Sequence, residues 1–387
     1  MYHFDVEKTQ NKKTIHLFYL SIILLLGTGL VTLYSASYSF SVRLFNNGNH
    51  LINRQLIFAA IGIIMFFFFS NIKLEVLRKY SLLIVCIAAF LCGLTFIPGI
   101  GVERYGASRW IEISSMTYQP SEFVKFALPL YLAHMLDKKR LNHDSFLTSV
   151  LPPVIVTSIF FGIINFQNNF STAVFIAFNA IIIFYLAGMR LRYFSSAIAM
   201  IVPISALLVF TKEHRVRRLV SFLRPQWEPQ GAGFQVMASR ETIVSSGFWG
   251  LGIGEGTRKV ASVPEIHSDF IFTSYIEETG FLGIILFFIL FTVFAFFGYR
   301  TAWKSDTLFK KLLAAGLTTI IITQVLLNVG VVSGALPATG IPLPFFSAGG
   351  SSLITTLICA GLIINVAKSN LKTSKGSWET DREINDE

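Results

Sequence analysis

The chain has 387 residues, of which 53% are hydrophobic and only 14% are charged. Soluble globular domains carry about 25% charged residues and rarely contain runs of about 18 apolar residues, whereas such runs recur here. The composition excludes a soluble enzyme, a disordered chain and a disulfide scaffold. The formal net charge of +10 does not indicate nucleic-acid binding, because the chain has no basic amphipathic domain to bind with.

The apolar segments predict an all-α polytopic membrane protein with ten transmembrane helices. A spanning helix needs about 20 mostly apolar residues, since its backbone must satisfy its own hydrogen bonds in lipid. In chain order the predicted spans are 15–36, 54–72, 78–98, 120–136, 148–165, 170–188, 192–210, 268–300, 310–333 and 347–368. Tails at 1–14 and 369–387 flank this membrane domain of residues 15–368.

The positions of the 32 lysines and arginines predict the orientation of these helices. With the N-terminus inside, the inner segments hold most of them, for example Lys138–Arg140 and Lys310–Lys311. The short outer loops hold only Arg43, Arg54, Arg104 and Arg109. Because basic residues concentrate on the cytoplasmic side of membrane proteins, both termini are predicted to be cytoplasmic.

A large outer loop, residues 211–267, is predicted between the seventh and eighth helices. A loop this long without a strong strand pattern is usually functional or disordered. Its aromatic residues predict contact with the membrane surface, and its glycines predict tight turns or close backbone approach. The aromatic residues are Phe222, Trp227, Phe234, Phe248 and Trp249. A nucleotide site at its glycine run is not expected, since no strand precedes the run and no lysine-serine pair follows it.

The first cluster of ionisable residues on the outer side runs from Gly106 through Arg109 to the start of the fourth helix. Pro120 suits the first turn of that helix, where its missing N–H costs nothing. Glu122 and Lys125 are three residues apart and share a helix face. Charges at membrane depth are costly, so each is a functional candidate. The pair is interpreted either as a buried structural ion pair or as an acid that holds a cavity lysine in place.

The second cluster contains Glu265, His267 and Asp269, just before the eighth helix. Asp269 is predicted to open that helix, where the N-terminus favours a carboxylate. Two interpretations stay open here, a capping acid and a functional acid. Glu277 and Glu278 are predicted to lie about 12 Å deeper, with at least one packed against other helices.

The third cluster lies between the ninth and tenth helices, where prolines and glycines interrupt the apolar pattern. The segments are Leu336–Phe345 and Ser347–Ser352. Non-helical backbone at membrane depth occurs only where it is buried or lines a cavity, so a re-entrant segment is predicted. Its free N–H groups could bind an anionic head group, or the segment could be a rigid loop without ligand contact.

Taken together, these motifs resemble the SEDS family (shape, elongation, division and sporulation), whose members include FtsW, RodA and SpoVE. The resemblance rests on QPSE at 119–122 followed by Lys125, PExHSDFIF at 264–272 and LPxTGIPLPF-S-x-GGSS at 336–352. It extends from Leu33–Ser37 to the tenth helix. At Ile97–Gly101 and Val331–Gly334 the chain is most similar to the division branch, FtsW or SpoVE. The resemblance implies a peptidoglycan glycosyltransferase that polymerises lipid II at the outer face of the cytoplasmic membrane, at the division septum.

Four positions depart from the family pattern. Where the family has Q-P-D-[LF]-G-T, this chain has Gln167–Thr172, with Asn169 in place of the usual acid and Ser171 in place of the usual glycine. Ala348 replaces the tyrosine of the SYGGSS motif, and Arg224 replaces a common acid. The motif around Asp269 is intact, which favours an active enzyme.

The resemblance assigns Asp269 as the essential catalytic residue. Its expected role is to take the proton from the GlcNAc 4-hydroxyl of lipid II while that oxygen attacks MurNAc C1 of the lipid-linked chain. Lys125, Arg109, Arg218 and Arg224 are candidates for binding the departing polyprenyl pyrophosphate. Further candidates for substrate or cavity contacts are Glu122, Glu265, His267, Gln235, Ser347, Gly349, Gly350 and Ser351.

A divalent cation, Mg²⁺ or Mn²⁺, is a candidate for neutralising the pyrophosphate. Its candidate ligands are Glu122, Glu265 and Asp269, although no ligand cluster in the sequence proves a metal. The implied partners are lipid II, undecaprenyl-pyrophosphate-linked glycan, a class B penicillin-binding protein (an FtsI-like transpeptidase) and other divisome proteins. The alternatives are a RodA-like elongation polymerase, a SpoVE-like sporulation polymerase, a lipid II flippase and a non-catalytic scaffold.

Overall fold

The computed structural model describes residues 2–104, 106–113, 116–138, 150–189, 203, 206–227, 231–256 and 268–385. The helices in this part of the chain are α1 (Tyr2–Phe45), α2 (His50–Asn71), α3 (Leu74–Lys79), α4 (Ser81–Leu94), α5 (Pro120–Lys138), α6 (Leu151–Phe166), α7 (Phe170–Leu186), α8 (Glu213–Leu223), α9 (Ala232–Ser245), α10 (Ile271–Trp303), α11 (Leu308–Val332) and α12 (Gly350–Asn385). The strands are β1 (Gly101–Arg104), β2 (Ala107–Ile113) and β3 (Met116–Tyr118).

The described helices confirm a multi-pass membrane protein. Five stretches are long and apolar enough to cross a bilayer: Lys13–Phe45, His50–Asn71, Ile271–Trp303, Leu308–Val332 and Gly350–Leu371. Helices α4, α6 and α7 are shorter and also apolar. Helical residues occur in every predicted span. In the seventh, 192–210, only residues 203 and 206–210 are described, and all of them are helical. The count of ten spans therefore stays a prediction.

Several predicted boundaries were wrong, each for a local reason. The first helix does not end at residue 36, because no proline or glycine occurs between residue 36 and Asn46, whose φ is 50°. The third predicted span divides at Tyr80 into α3 and α4. The last helix begins at Gly350 rather than at residue 347 and continues into the predicted tail, to Asn385.

A small antiparallel sheet, in the order β1-β2-β3, precedes α5 and was not predicted. Gly106, with φ at 71°, makes the turn between β1 and β2, a conformation that glycine adopts without strain. Ile111 of β2 is buried and stands opposite Gly101 on one side and Tyr118 on the other. The end of the bundle that carries this sheet and Asp269 is called the outer end below.

Helix α5 is the centre of the bundle. Most of its side chains are buried, including Glu122 and Lys125, and it packs against α4, α7, α11 and α12. Around it, α2 packs along α12, and α10 packs along α1 and α11. A helix that is surrounded by protein can carry charges at membrane depth, because those charges face other side chains instead of lipid.

Helix α10 is broken at Gly280, where φ is 64° and ψ is −157°. The preceding loop fills this break with backbone hydrogen bonds. The N–H of Leu251 donates to the Glu277 carbonyl at 2.9 Å, and the N–H of Phe281 donates to the Gly247 carbonyl at 3.0 Å. A Cβ on Gly250 would lie 2.3 Å from the Glu278 carbonyl oxygen, so the close approach requires glycine. The loop 247–252 thus holds the outer half of α10 at an angle to the inner half.

The same helix bears out the prediction that one of its two acids packs against another helix. Glu277 and Glu278 are both buried, and Ser35 of α1 donates to Glu278 Oε1 at 2.5 Å. Within the predicted loop 211–267, α8 and α9 are additional helices on the outer end. The outer half of α10 therefore lies between α1 on one side and the loop elements on the other.

Candidate active site

Asp269 lies in the turn 268–270, two residues before α10 begins at Ile271. The prediction that Asp269 opens the helix was therefore wrong by one position, because the N-cap residue is Phe270. Ser268 Oγ donates to Asp269 Oδ1 at 3.1 Å. Asp269 Oδ2 would lie 3.4 Å from a Cβ on Gly340, which places the carboxylate beside the backbone of the proline-rich segment.

Two side chains fix the backbone of this turn. Asn328 of α11 donates from Nδ2 to the carbonyls of Asp269 and Ile341, each at 2.9 Å. Ser347 Oγ donates to the Ser268 carbonyl at 2.7 Å and accepts from the Leu343 N–H at 2.7 Å. The second and third sequence clusters are thereby joined into one structure. The segment between α11 and α12 is non-helical, as predicted, and its second part, residues 341–347, is mostly buried.

Two arginines bring positive charge to Asp269. Burial lowers the pKa of Arg109 to about 10, with a further lowering by Arg218 that is opposed by Asp269. Burial also lowers the pKa of Arg218, and Asp269 again opposes the shift. Arginine side chains remain protonated in proteins, so both guanidinium groups count as positive charges here. Asp269, Arg109 and Arg218 are called the outer compartment below.

The Glu122–Lys125 pair is a buried ion pair. Lys125 Nζ lies 2.6 Å from Glu122 Oε1, and both side chains are 3% exposed. Lys125 also donates to Gln324 Oε1 at 3.1 Å, and Gln324 Nε2 donates to the Pro342 carbonyl at 2.7 Å. Gln324 lies one helical turn below Asn328 on α11. A polar network therefore connects the ion pair to the backbone that holds Asp269.

The GGSS residues at 349–352 pack against neighbouring helices. The Gln119 N–H donates to Ser351 Oγ at 3.0 Å, and a Cβ on Gly350 would meet the Phe58 ring at 2.4 Å. Gly349 precedes α12 close to Ser352. These contacts hold the start of α12 against α2 and the start of α5.

The remaining predicted site residues are dispersed. Gln235 is half-buried on α9. Arg224 is exposed, and its guanidinium carbon lies 4.1 Å from the centre of the Trp227 ring. Glu265 and His267 lie outside the described residues. The described structure places Arg109 and Arg218 within electrostatic range of Asp269, and it places Arg224 against a neighbouring aromatic ring.

The described residues offer little support for a metal site. They contain no group of three or more His, Cys, Asp or Glu side chains that could hold a metal ion. Of the three candidate ligands, Glu122 is engaged by Lys125, and Glu265 is not described. Asp269 interacts electrostatically with Arg109 and Arg218.

Arg215 is a functional candidate that the sequence analysis missed. It is 6% exposed, and its Nη2 donates to Asn165 Oδ1 at 3.0 Å. Burial lowers the pKa of Arg215, and Arg218, three residues further along the same face of α8, lowers it further. Helical periodicity would have revealed this face if residues 213–223 had been interpreted as a helix.

Helix α9 connects the two helices that flank the site. Ser239 Oγ lies 2.6 Å from Thr273 Oγ1 of α10 and donates to the Val332 carbonyl of α11 at 2.9 Å. Arg240 donates to the carbonyls of Ser333 and Gly334, at 3.1 and 2.6 Å. Cationic side chains stabilise the exposed carbonyls at a helix C-terminus. Helix α9 therefore holds the ends of α10 and α11 together beside Asp269.

The fold and the site define a multi-pass membrane protein with a charged compartment at one end of its bundle. Residues 15–372 match the family model of the FtsW/RodA/SpoVE cell cycle proteins, and the chain belongs to that family. It is 36% identical over 348 residues to Stage V sporulation protein E of Bacillus subtilis, covering 89% of this chain and 94% of that protein. It is 36% identical over 351 residues to a probable peptidoglycan glycosyltransferase FtsW of Borreliella burgdorferi, covering 90% and 95%.

Solved structures show the same fold. A chain from a peptidoglycan synthase complex, described as coordinating polymerisation and crosslinking, matches with a TM-score of 0.76 and 25% identity, covering 91% of this chain and 97% of its own length. The Rod shape determining protein RodA of Thermus thermophilus matches with a TM-score of 0.67 and 22% identity, covering 91% and 96%. The resemblance predicted from the motifs is confirmed.

Proposed function

We propose that this peptidoglycan glycosyltransferase polymerises lipid II into glycan strands at the outer face of the cytoplasmic membrane. Its FtsW relatives are named as probable peptidoglycan glycosyltransferases. The observation that carries the proposal is a carboxylate, Asp269, whose backbone carbonyl is held by Asn328 and which interacts electrostatically with Arg109 and Arg218. A base next to fixed positive charge suits transfer of a sugar from a pyrophosphate leaving group.

In the proposed reaction, Asp269 takes the proton from the GlcNAc 4-hydroxyl of lipid II. The freed oxygen forms a bond to MurNAc C1 of the lipid-linked chain, and the bond from C1 to the pyrophosphate oxygen breaks. The bonding electrons leave with the polyprenyl pyrophosphate. One displacement inverts the α-linkage to a β-1,4 bond, so no covalent enzyme intermediate is required.

The arginines act on the leaving group in this proposal. Arg109 and Arg218 present guanidinium groups, whose planar donors match phosphate oxygens. Lys125 is engaged by Glu122 and Gln324, so we assign it to positioning the segment that contacts Asp269. Contacts of Gln235, Glu265 and His267 with the substrate stay predictions, as does a divalent cation, and no step depends on them.

The biological context is also part of the proposal. The FtsW names of several relatives support cell division, with elongation and sporulation as alternatives, the latter favoured by the Bacillus subtilis relative. We propose a class B penicillin-binding protein as partner, supported by the similarity to a chain of a polymerising and crosslinking complex. Both termini are assigned to the cytoplasm on the distribution of lysine and arginine.

Proteoliposomes distinguish this activity from lipid II translocation. Purified chain is reconstituted with lipid II in the outer leaflet, with and without a class B penicillin-binding protein and with and without a chelator. We expect glycan strands from the wild type, and none from Asp269→Ala folded to the same extent. Translocation of lipid II without any polymer, under all of these conditions, would establish a flippase instead.

A further inference from the structure

Two arginines from distant parts of the chain converge on the turn between α6 and α7, residues 165–170. Arg109 of β2 donates from Nη2 to the Asn168 carbonyl. Arg215 of α8 donates to Asn165 Oδ1 at 3.0 Å, and its guanidinium carbon lies 4.7 Å from the centre of the Phe170 ring. This turn is called the α6–α7 turn below.

Among the described residues, the α6–α7 turn and its arginines have more unmatched buried donors than unmatched buried acceptors. Arg109 Nε, Arg215 Nε and Asn169 Nδ2 are buried and have no acceptor among these residues, whereas Gln167 Oε1 is the one buried acceptor of the turn without a donor there. Asn169 is 4% exposed and Arg215 is 6% exposed. Buried polar groups in folded proteins are nearly always hydrogen-bonded, because an unmatched donor keeps its full desolvation cost. Three unmatched N–H groups around one turn fit an additional group that carries several acceptor oxygens.

The charge distribution selects an anion for this group. Arg109 and Arg215 are each influenced by Arg218, and the acid that acts on Arg109 and Arg218 is Asp269. Asn169 is the N-cap residue of α7, and its side chain makes no capping hydrogen bond. The N-terminus of a helix of this length attracts negative charge through its free N–H groups. The positive charge and the unmatched donors therefore both lie at the α6–α7 turn.

We propose that Arg109, Arg215 and Asn169 form a subsite for a phosphate-class anion. The inference rests on the proposed function where it identifies this anion as the pyrophosphate of the lipid-linked substrate. A phospholipid headgroup presents the same chemistry, and the test separates the two sources. Arg215 and Asn169 are then binding residues that extend the site from Asp269 to the start of α7.

The test measures binding of inorganic pyrophosphate to the full-length chain in phosphatidylcholine nanodiscs by calorimetry. Asn169→Asp has nearly the same shape and supplies an acceptor with a negative charge, whereas Arg215→Gln removes a positive charge. We expect each variant to bind pyrophosphate at least about tenfold more weakly, the effect of losing one charge-assisted hydrogen bond. Asn169→Asp should also raise the melting temperature without ligand, since its carboxylate meets the unmatched donors.

Matched controls lie nearby in the chain. Arg217→Gln removes the same charge from the exposed face of α8, where Arg217 pairs with Glu213. Asn47→Asp adds the same charge in the exposed turn between α1 and α2. Both controls should bind pyrophosphate with wild-type affinity. Repeating the measurement in nanodiscs that contain phosphatidylglycerol identifies the source of the anion. If this lipid competes with pyrophosphate, the subsite binds a headgroup phosphate. If it does not compete, the subsite is assigned to the substrate.

The inference is overturned if wild-type chain does not bind pyrophosphate, or if Asn169→Asp and Arg215→Gln bind it as tightly as the wild type. Binding requires no turnover, so its outcome is independent of the polymerisation assay. If the chain binds pyrophosphate through these residues but forms no glycan, the subsite is supported and the proposed function is contradicted. If the chain forms glycan but neither substitution changes pyrophosphate binding, the proposed function is supported and the subsite is contradicted.

Discussion

The bundle contains two charged regions near its outer end, and they differ in how their charges are balanced. In the buried ion pair, Lys125 has Glu122 and Gln324 as partners, and Gln324 is itself bonded to Pro342. The outer compartment and the adjoining α6–α7 turn together contain Asp269 and three arginines, and two of these arginines have donors that are unmatched among the described residues. The balanced region suits a framework, whereas the region with surplus positive charge suits binding and chemistry on an anionic substrate.

The largest expected effect comes from breaking the balanced region. Lys125→Met should lower the free energy of unfolding by about 3–5 kcal/mol, because Glu122 is left as an uncompensated buried charge. The measurement is an unfolding titration of the purified chain in mixed micelles. The double variant Lys125→Met with Glu122→Gln is the control and should recover most of the loss. Equal destabilisation by the single and double variants would contradict the assignment of a balanced pair.

A charge of the outer compartment should affect turnover more than stability. Arg218→Gln removes one of the two arginines beside Asp269, and we expect a loss of about 10–100-fold in the polymerisation rate, within the range for a group that stabilises developing charge. The melting temperature should change little, because burial of this cation is already unfavourable. The exposed Arg224→Gln variant is the control. A loss of stability with unchanged turnover would place Arg218 in the framework instead.

The side chain that supports the Asp269 turn should show an intermediate effect. Ser347→Ala removes one hydrogen bond to the Ser268 carbonyl and one from the Leu343 N–H. We expect a decrease of about tenfold in the maximal rate, because a misplaced base loses orientation, with the concentration of lipid II at half-maximal rate nearly unchanged. Ser347→Thr keeps the hydroxyl and should restore part of the rate. A change confined to lipid II affinity would instead make Ser347 a substrate contact.

The smallest expected effect concerns the connection made by α9. Arg240→Gln removes hydrogen bonds to the carbonyls at the end of α11, at a cost of about 1 kcal/mol in the free energy of unfolding. Arg240→Lys keeps the charge but not the two-point geometry, so it should recover only part of this cost. Thermal unfolding in nanodiscs measures both. If both variants unfolded like the wild type, α9 would not stabilise the outer end.

The sequence predicted the membrane class and most helices, because runs of apolar residues are a strong local signal. It also predicted the Glu122–Lys125 pair, since three-residue spacing places both on one helix face. The convergence of Asp269 with Gly340 and Arg109 could not be predicted from spacing, because these residues are far apart in the chain. Only the motif resemblance indicates that these residues belong to one site.

Other features were missed for local reasons. The small sheet has strands of only 3–7 residues, too short for a clear alternating pattern. Helix α8 is rich in arginine, which obscures its apolar face in the sequence. Arg215 was therefore not predicted as a site residue. The break at Gly280 depends on backbone pairing with the loop 247–252, which no pattern within α10 indicates.

The most direct test of the account is turnover by Asp269→Asn, a neutral substitution of nearly the same shape. The purified variant and the wild type are compared for lipid II binding and for glycan formation at saturating lipid II. The account predicts nearly unchanged binding and a loss of about 10²–10⁴-fold in rate, the usual contribution of a positioned general base. Glycan formation at the wild-type rate by Asp269→Asn would contradict it.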